Sequence, residues 1–86
     1  MTADSIEKFA ENTKYKNAEV NIRFKGRIAV TGVFIKSFDY EELKQKNFWR
    51  IISKDHVEMW EKTKNVNLTR LYNGLTFTRL SYAKES

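Results

Sequence analysis

Asn73-Gly74 stands between two runs of β-forming residues, Val66 to Tyr72 before it and Leu75 to Leu80 after it. Asn-Gly readily supplies the two positive φ angles of a two-residue hairpin turn, and in a short chain such a turn fixes both strand pairing and register. A hairpin centred there pairs Tyr72 with Leu75, Arg70 with Phe77, Leu68 with Arg79 and Val66 with Ser81. Neither face of it is purely apolar, because Arg70 and Arg79 stand among aromatic and aliphatic neighbours.

The rest of the chain reads as a helix followed by more strands. Asp4 precedes Glu7 by three residues and Ile6, Phe9 and Ala10 share one helical face, which predicts a short helix over residues 5 to 12. Two turns of helix are not stable alone in water, so that face must dock on a partner surface. Val20, Ile22 and Phe24 alternate with Asn21, Arg23 and Lys25, the period of a half-buried strand. Gly26 makes the next turn, and a β-branched run from Ile28 to Ile35 follows, with Gly32 suggesting a bulge or sharp bend. Asp39 and Glu42 repeat the cap spacing before a short helix over Tyr40 to Lys46, and Phe48 to Ser53 reads as a buried strand. Residues 56 to 63 fit two periods. Val57, Trp60 and Glu61 suit a helix, whereas Val57, Met59 and Glu61 suit a strand.

At 86 residues the chain holds one domain, 1–86, since two cores would each be too small to offset chain entropy. The expected class is α+β, a short N-terminal helix followed by a strongly bent antiparallel small β-barrel of the SH3-like or Sm-like kind. With no Cys and no Pro, neither disulfides nor proline-fixed turns organise it. The first residues lack a basic stretch followed by an apolar one, so the expectation is a soluble, cytoplasmic protein with no membrane partner. Asn67-Leu68-Thr69 is read as a chance match to the glycosylation pattern.

Catalysis is not expected. His56 is the single histidine, and the sequence has no Gly-rich phosphate loop or nucleophile elbow. No metal or cofactor is expected either, because His56-Val57-Glu58 lacks the cysteine half of a zinc-deaminase signature.

Charge is the more informative property. The net charge is +5, yet residues 20 to 36 carry +4 and residues 62 to 84 carry +5, both without an acid, and the remainder is negative. Positive charge therefore falls on the expected strands, interleaved with Tyr72, Phe77 and Tyr82. Phosphate contact with base stacking needs that combination, although solvated strands also carry Lys and Arg for solubility.

Residues 19 to 39 resemble the first motif of the Sm and Hfq family of RNA-binding small barrels. The resemblance rests on Val20-Ile22-Phe24, Lys25-Gly26, the bend at Gly32, and Ser37-Phe38-Asp39, with a helix ahead of them. It implies a five-stranded, strongly bent barrel that forms rings through its edge strands and binds single-stranded RNA around a pore. It also places Asp39 and Tyr40 in the RNA-binding loop. Leu71-Tyr72-Asn73-Gly74 departs from the second motif, with Asn where Sm proteins have Arg before Gly.

The resulting expectation is a non-enzymatic protein that binds RNA or single-stranded nucleic acid. Arg23, Lys25, Arg27, Arg70 and Arg79 would contact phosphate, and Tyr40 or Tyr72 would stack on a base. A homo-oligomer through edge strands would fit this role. The alternative is an SH3-like protein-interaction or regulatory module anchored by Trp49, Trp60, Phe48 or Phe77.

Overall fold

The computed structural model describes residues 1–12 and 18–83. Five strands, β1 (Val20–Phe24), β2 (Val30–Phe34), β3 (Phe48–Ser53), β4 (Arg70–Asn73) and β5 (Phe77–Tyr82), form one antiparallel sheet in the order β4-β3-β2-β1-β5. Helix α1 (Ala3–Ala10) precedes the sheet, α2 (Tyr40–Gln45) joins β2 to β3, and α3 (Val57–Thr63) follows β3. The architecture is α+β. The sheet is open, with β4 and β5 at its two edges.

Both faces of the sheet bury apolar residues. Val20, Ile22 and Phe24 alternate inward along β1 and meet Trp49, Ile51, Phe77, Leu80 and Ile6 of α1 in the main core. Ile6 is completely buried, which explains why so short a helix is stable here. On the opposite face Val33, Ile35 and Ile52 pack beneath Val57, Trp60 and Leu68. The helical period therefore prevails over residues 57 to 63, since Val57 and Trp60 share the face that meets the sheet.

The expected Asn73-Gly74 hairpin does not form. β4 pairs with β3 and β5 pairs with β1, so Tyr72 stands opposite Trp49, Arg70 opposite Ile51 and Arg79 opposite Arg23. Gly74 does not take the positive φ that a primed turn requires. Instead the Asn73 side chain accepts from the Leu75 N–H at 2.9 Å, and Gly74–Thr76 makes one 3-10 turn that carries the chain to the far edge of the sheet. Glycine is needed at position 74 because a Cβ there would collide with Asn47 and Ile6.

Two local expectations are also adjusted. Thr2, not Asp4, caps α1, its hydroxyl accepting from the Ser5 N–H at 3.3 Å. Gly32 carries no bulge in either of its ladders; a Cβ there would strike the Ile52 carbonyl, so glycine permits close approach of β2 and β3. The register shift lies instead between Arg23 and Phe24 against β5.

Candidate nucleic-acid interface

Arg23 and Arg79 occupy directly opposed positions on β1 and β5, and both are exposed. Alternation puts Asn21 and Ser81 on the same face, beside Thr31 of β2, whose hydroxyl donates to the Asn21 side-chain oxygen at 2.6 Å. The Thr78 hydroxyl donates to the Arg23 carbonyl at 3.2 Å, across the shifted register. This part of the sheet is polar and uncovered, unlike the part beneath α3.

Lys25 and Arg27 extend the basic surface into the β1–β2 connection, where residues 25 to 29 are all exposed. The Lys25 N–H donates to the Thr76 carbonyl at 3.1 Å, tying this turn to the 3-10 turn before β5. The Arg27 guanidinium carbon lies 4.9 Å from the centre of the Phe24 ring, which is itself fixed edge-on against Phe77. Ile28 and Leu75, 90% and 75% exposed, belong to the same two turns. Among the described residues, Arg23, Lys25, Arg27 and Arg79 form no ion pair. Like charges directly opposed on neighbouring strands are destabilising, and no carboxylate among the described residues offsets the Arg23–Arg79 pair.

The other candidate residues are placed elsewhere. Arg70 is exposed on β4, at the opposite edge of the sheet from Arg79, because the hairpin that would have joined them is absent. Tyr72 is half-buried with its ring 5.4 Å from that of Phe24. Tyr40 is enclosed: its hydroxyl donates to Glu11 at 2.7 Å, its ring meets Trp49 edge-on, and the ammonium groups of Lys36 and Lys44 lie 5.6 and 5.4 Å from its centre. Burial, then the bond to Glu11, pushes the Tyr40 hydroxyl far above its usual pKa, and that same bond holds Glu11 below the carboxylate range. Lys44 also reaches Glu7 at 2.6 Å and Glu41 at 3.1 Å, so this cluster clamps α1 to α2.

Asp39 precedes α2 without capping it. Its carboxylate pairs with Arg50 at 2.6 Å and accepts from the Ser37 hydroxyl, and both partners of the ion pair are largely buried. Arg50 also donates to Thr69, whose hydroxyl donates in turn to the Val66 carbonyl. Thr69 is thereby buried and engaged, which leaves Asn67-Leu68-Thr69 a poor acceptor sequence. Arg50 was not singled out by sequence reasoning, although a cation inside Phe48-Trp49-Arg50-Ile51-Ile52 signals a buried charge that needs a carboxylate. Lys84 lies outside the described residues.

Among the proposed protein-contact aromatics, Trp49 and Phe77 are core residues, Trp60 is half-buried and Phe48 is 37% exposed. No helix among the described residues is long and apolar enough to cross a membrane. Comparison with known protein families, curated proteins and solved structures finds no match for this chain.

Proposed function

We propose that this protein binds RNA or another single-stranded nucleic acid, without catalysis, through the surface formed by Arg23, Arg79, Lys25 and Arg27. The observation that carries this reading is the opposed Arg23–Arg79 couple, which has no ion pair among the described residues, whereas Lys44 and Arg50 each hold a carboxylate. A phosphate backbone supplies the missing negative charge. Arg27, supported from beneath by Phe24, takes the stacking role first given to Tyr40 and Tyr72, since a guanidinium plane accepts a nucleobase and both tyrosine rings are occupied. Asp39 then acts through Arg50, shaping the β2–α2 connection rather than touching a base. The Sm-like resemblance supports the same reading, as do a leading helix and five strands. Further bending of the open sheet into a barrel, and ring assembly through edges β4 and β5, belong to this proposal.

The test is fluorescence anisotropy with a labelled single-stranded oligonucleotide. The double variant Arg23→Glu, Arg79→Glu loses binding by at least about a hundredfold with unchanged circular dichroism, as expected for reversing two charge-assisted contacts. Unchanged affinity in that variant overturns the proposal. Arg27→Lys keeps the charge but not the plane, and weakens binding less than Arg27→Ala does.

A second reading, a protein-interaction module, is favoured by Phe48 and Leu71, which share one face of the β3–β4 pair with Arg50. Leu71 is 50% exposed, and Phe38, next to Asp39, is 91% exposed. Retained binding to a protein partner by the charge-reversed double variant supports that reading instead.

A further inference from the structure

Two large aliphatic side chains project from one end of the sheet. Ile28, in the β1–β2 connection, and Leu75, in the 3-10 turn before β5, are more exposed than any other large apolar residue except Phe38 among the described residues. One exposed aliphatic residue is ordinary on a protein surface, but two on adjoining turns form a patch that calls for a partner. The turns adjoin because the Lys25 N–H donates to the Thr76 carbonyl, immediately beyond the Phe24–Phe77 pair that ends the β1–β5 ladder. The turn that carries Leu75 is also braced from within. The Thr76 hydroxyl donates to the Asn73 carbonyl at 2.6 Å, and the Gly74 N–H donates to the Asn47 carbonyl at 2.8 Å.

The surroundings of the patch narrow the chemistry of that partner. Both turns lie in the stretches of sequence that hold no acid, and Lys25 and Arg27 share the connection with Ile28. One side of the Arg27 guanidinium faces the Phe24 ring, and Arg27 is exposed, so its other side is open to a second flat group. The complementary partner is therefore negatively charged, apolar where it meets Ile28 and Leu75, and flat where it meets Arg27. A nucleobase on its phosphate chain has all three properties, provided the base is unpaired and unstacked. A duplex keeps its base faces stacked against one another. An anionic bilayer supplies charge and hydrocarbon, but nothing flat for the guanidinium to lie against.

We infer that Ile28, Leu75 and the outer side of Arg27 form a seat for one unpaired nucleobase, at the end of a phosphate track made by Arg23, Arg79 and Lys25. Arg27 stacks on the base, and the two aliphatic side chains cover it and exclude water. This rests on the nucleic-acid reading and narrows it: the ligand is a strand with free bases, in preference to a duplex or to a polyanion without bases.

The test compares, by fluorescence anisotropy, a single-stranded oligonucleotide, a strand of the same length built from abasic nucleotides, and the corresponding duplex. The protein binds the strand with bases about tenfold more tightly than the abasic one, the scale of one stacked base. The double variant Ile28→Ser, Leu75→Ser removes most of that preference while leaving the affinity for the abasic strand and its salt dependence unchanged. Both side chains are exposed, so circular dichroism shows the fold retained. Equal binding of the two strands by the unaltered protein overturns the inference and leaves the basic surface standing, as does a preference that the double variant keeps in full. Tighter binding of the duplex overturns it too, and so does binding to phosphatidylserine vesicles that the double variant loses while keeping its preference for bases. Binding of none of the three nucleic-acid probes overturns the nucleic-acid reading itself, and this inference with it.

Discussion

Asp39 is tied into the fold by a largely buried ion pair with Arg50 that its place in the sequence does not disclose. The Arg50 guanidinium, and after it the Ser37 hydroxyl, hold its carboxyl below the usual carboxylate range. A carboxyl whose folded pKa is depressed stabilises the fold at pH values above its unfolded pKa, and that contribution is lost as the pH falls through the folded value. Asp39→Asn therefore destabilises the protein at pH 7 by about 3 kcal/mol, the scale of breaking a largely buried ion pair. The difference from the parent protein narrows once the pH drops below about 4. Urea unfolding at pH 7 and pH 3 measures it, and a gap of equal size at both contradicts the assignment. Gly32 and Gly74 matter through the same closeness of packing: a methyl at either position meets backbone or a fixed side chain. Gly32→Ala, whose Cβ strikes the Ile52 carbonyl, costs about 2–3 kcal/mol in the same assay, and a neutral result would show that β2 and β3 can separate at little cost.

The elements were legible wherever one face is buried and the sequence has a single period. β1 follows from Val20, Ile22 and Phe24, β3 coincides with the apolar run Phe48 to Ser53, and α2 forms where the Asp39–Glu42 spacing put it, although the Asp39 side chain makes no cap bond. The Asn73-Gly74 turn misled because the same dipeptide serves two local structures. Asn73 bonds to Leu75 across a 3-10 turn, and Gly74 is needed for space beneath Ile6 and Asn47 rather than for a positive φ. Tertiary pairing with β3 and β1 outweighs the local hairpin preference, and nothing in a window of ten residues reveals that. The error reached the site, because it placed Arg70 beside Arg79 and left the true partner, Arg23, unpaired in the reading. α1 gives the test at this scale. Ile6 is its only fully buried side chain, so Ile6→Ala removes the anchor and costs about 3–4 kcal/mol, with α1 amides losing protection from hydrogen exchange. Retained protection would mean that the Lys44 cluster with Glu7, Glu11 and Glu41 holds α1 without the core.

For the whole molecule, the division of charge matters more than the net value of +5. Acids and bases neutralise one another where α1 meets α2 and around Arg50, while the β1–β5 surface keeps its cations unpaired. A surface arranged this way binds polyanions by releasing their counterions, so its affinity is set by salt. The most direct measurement is the dissociation constant for a single-stranded oligonucleotide across a range of salt concentrations. Three phosphate contacts, by Arg23, Lys25 and Arg79, predict that log affinity falls against log salt with a slope of about −2, and that Arg23→Glu with Arg79→Glu flattens it. A slope near zero, or one that the double variant leaves unchanged, would contradict the assignment of this surface to nucleic acid.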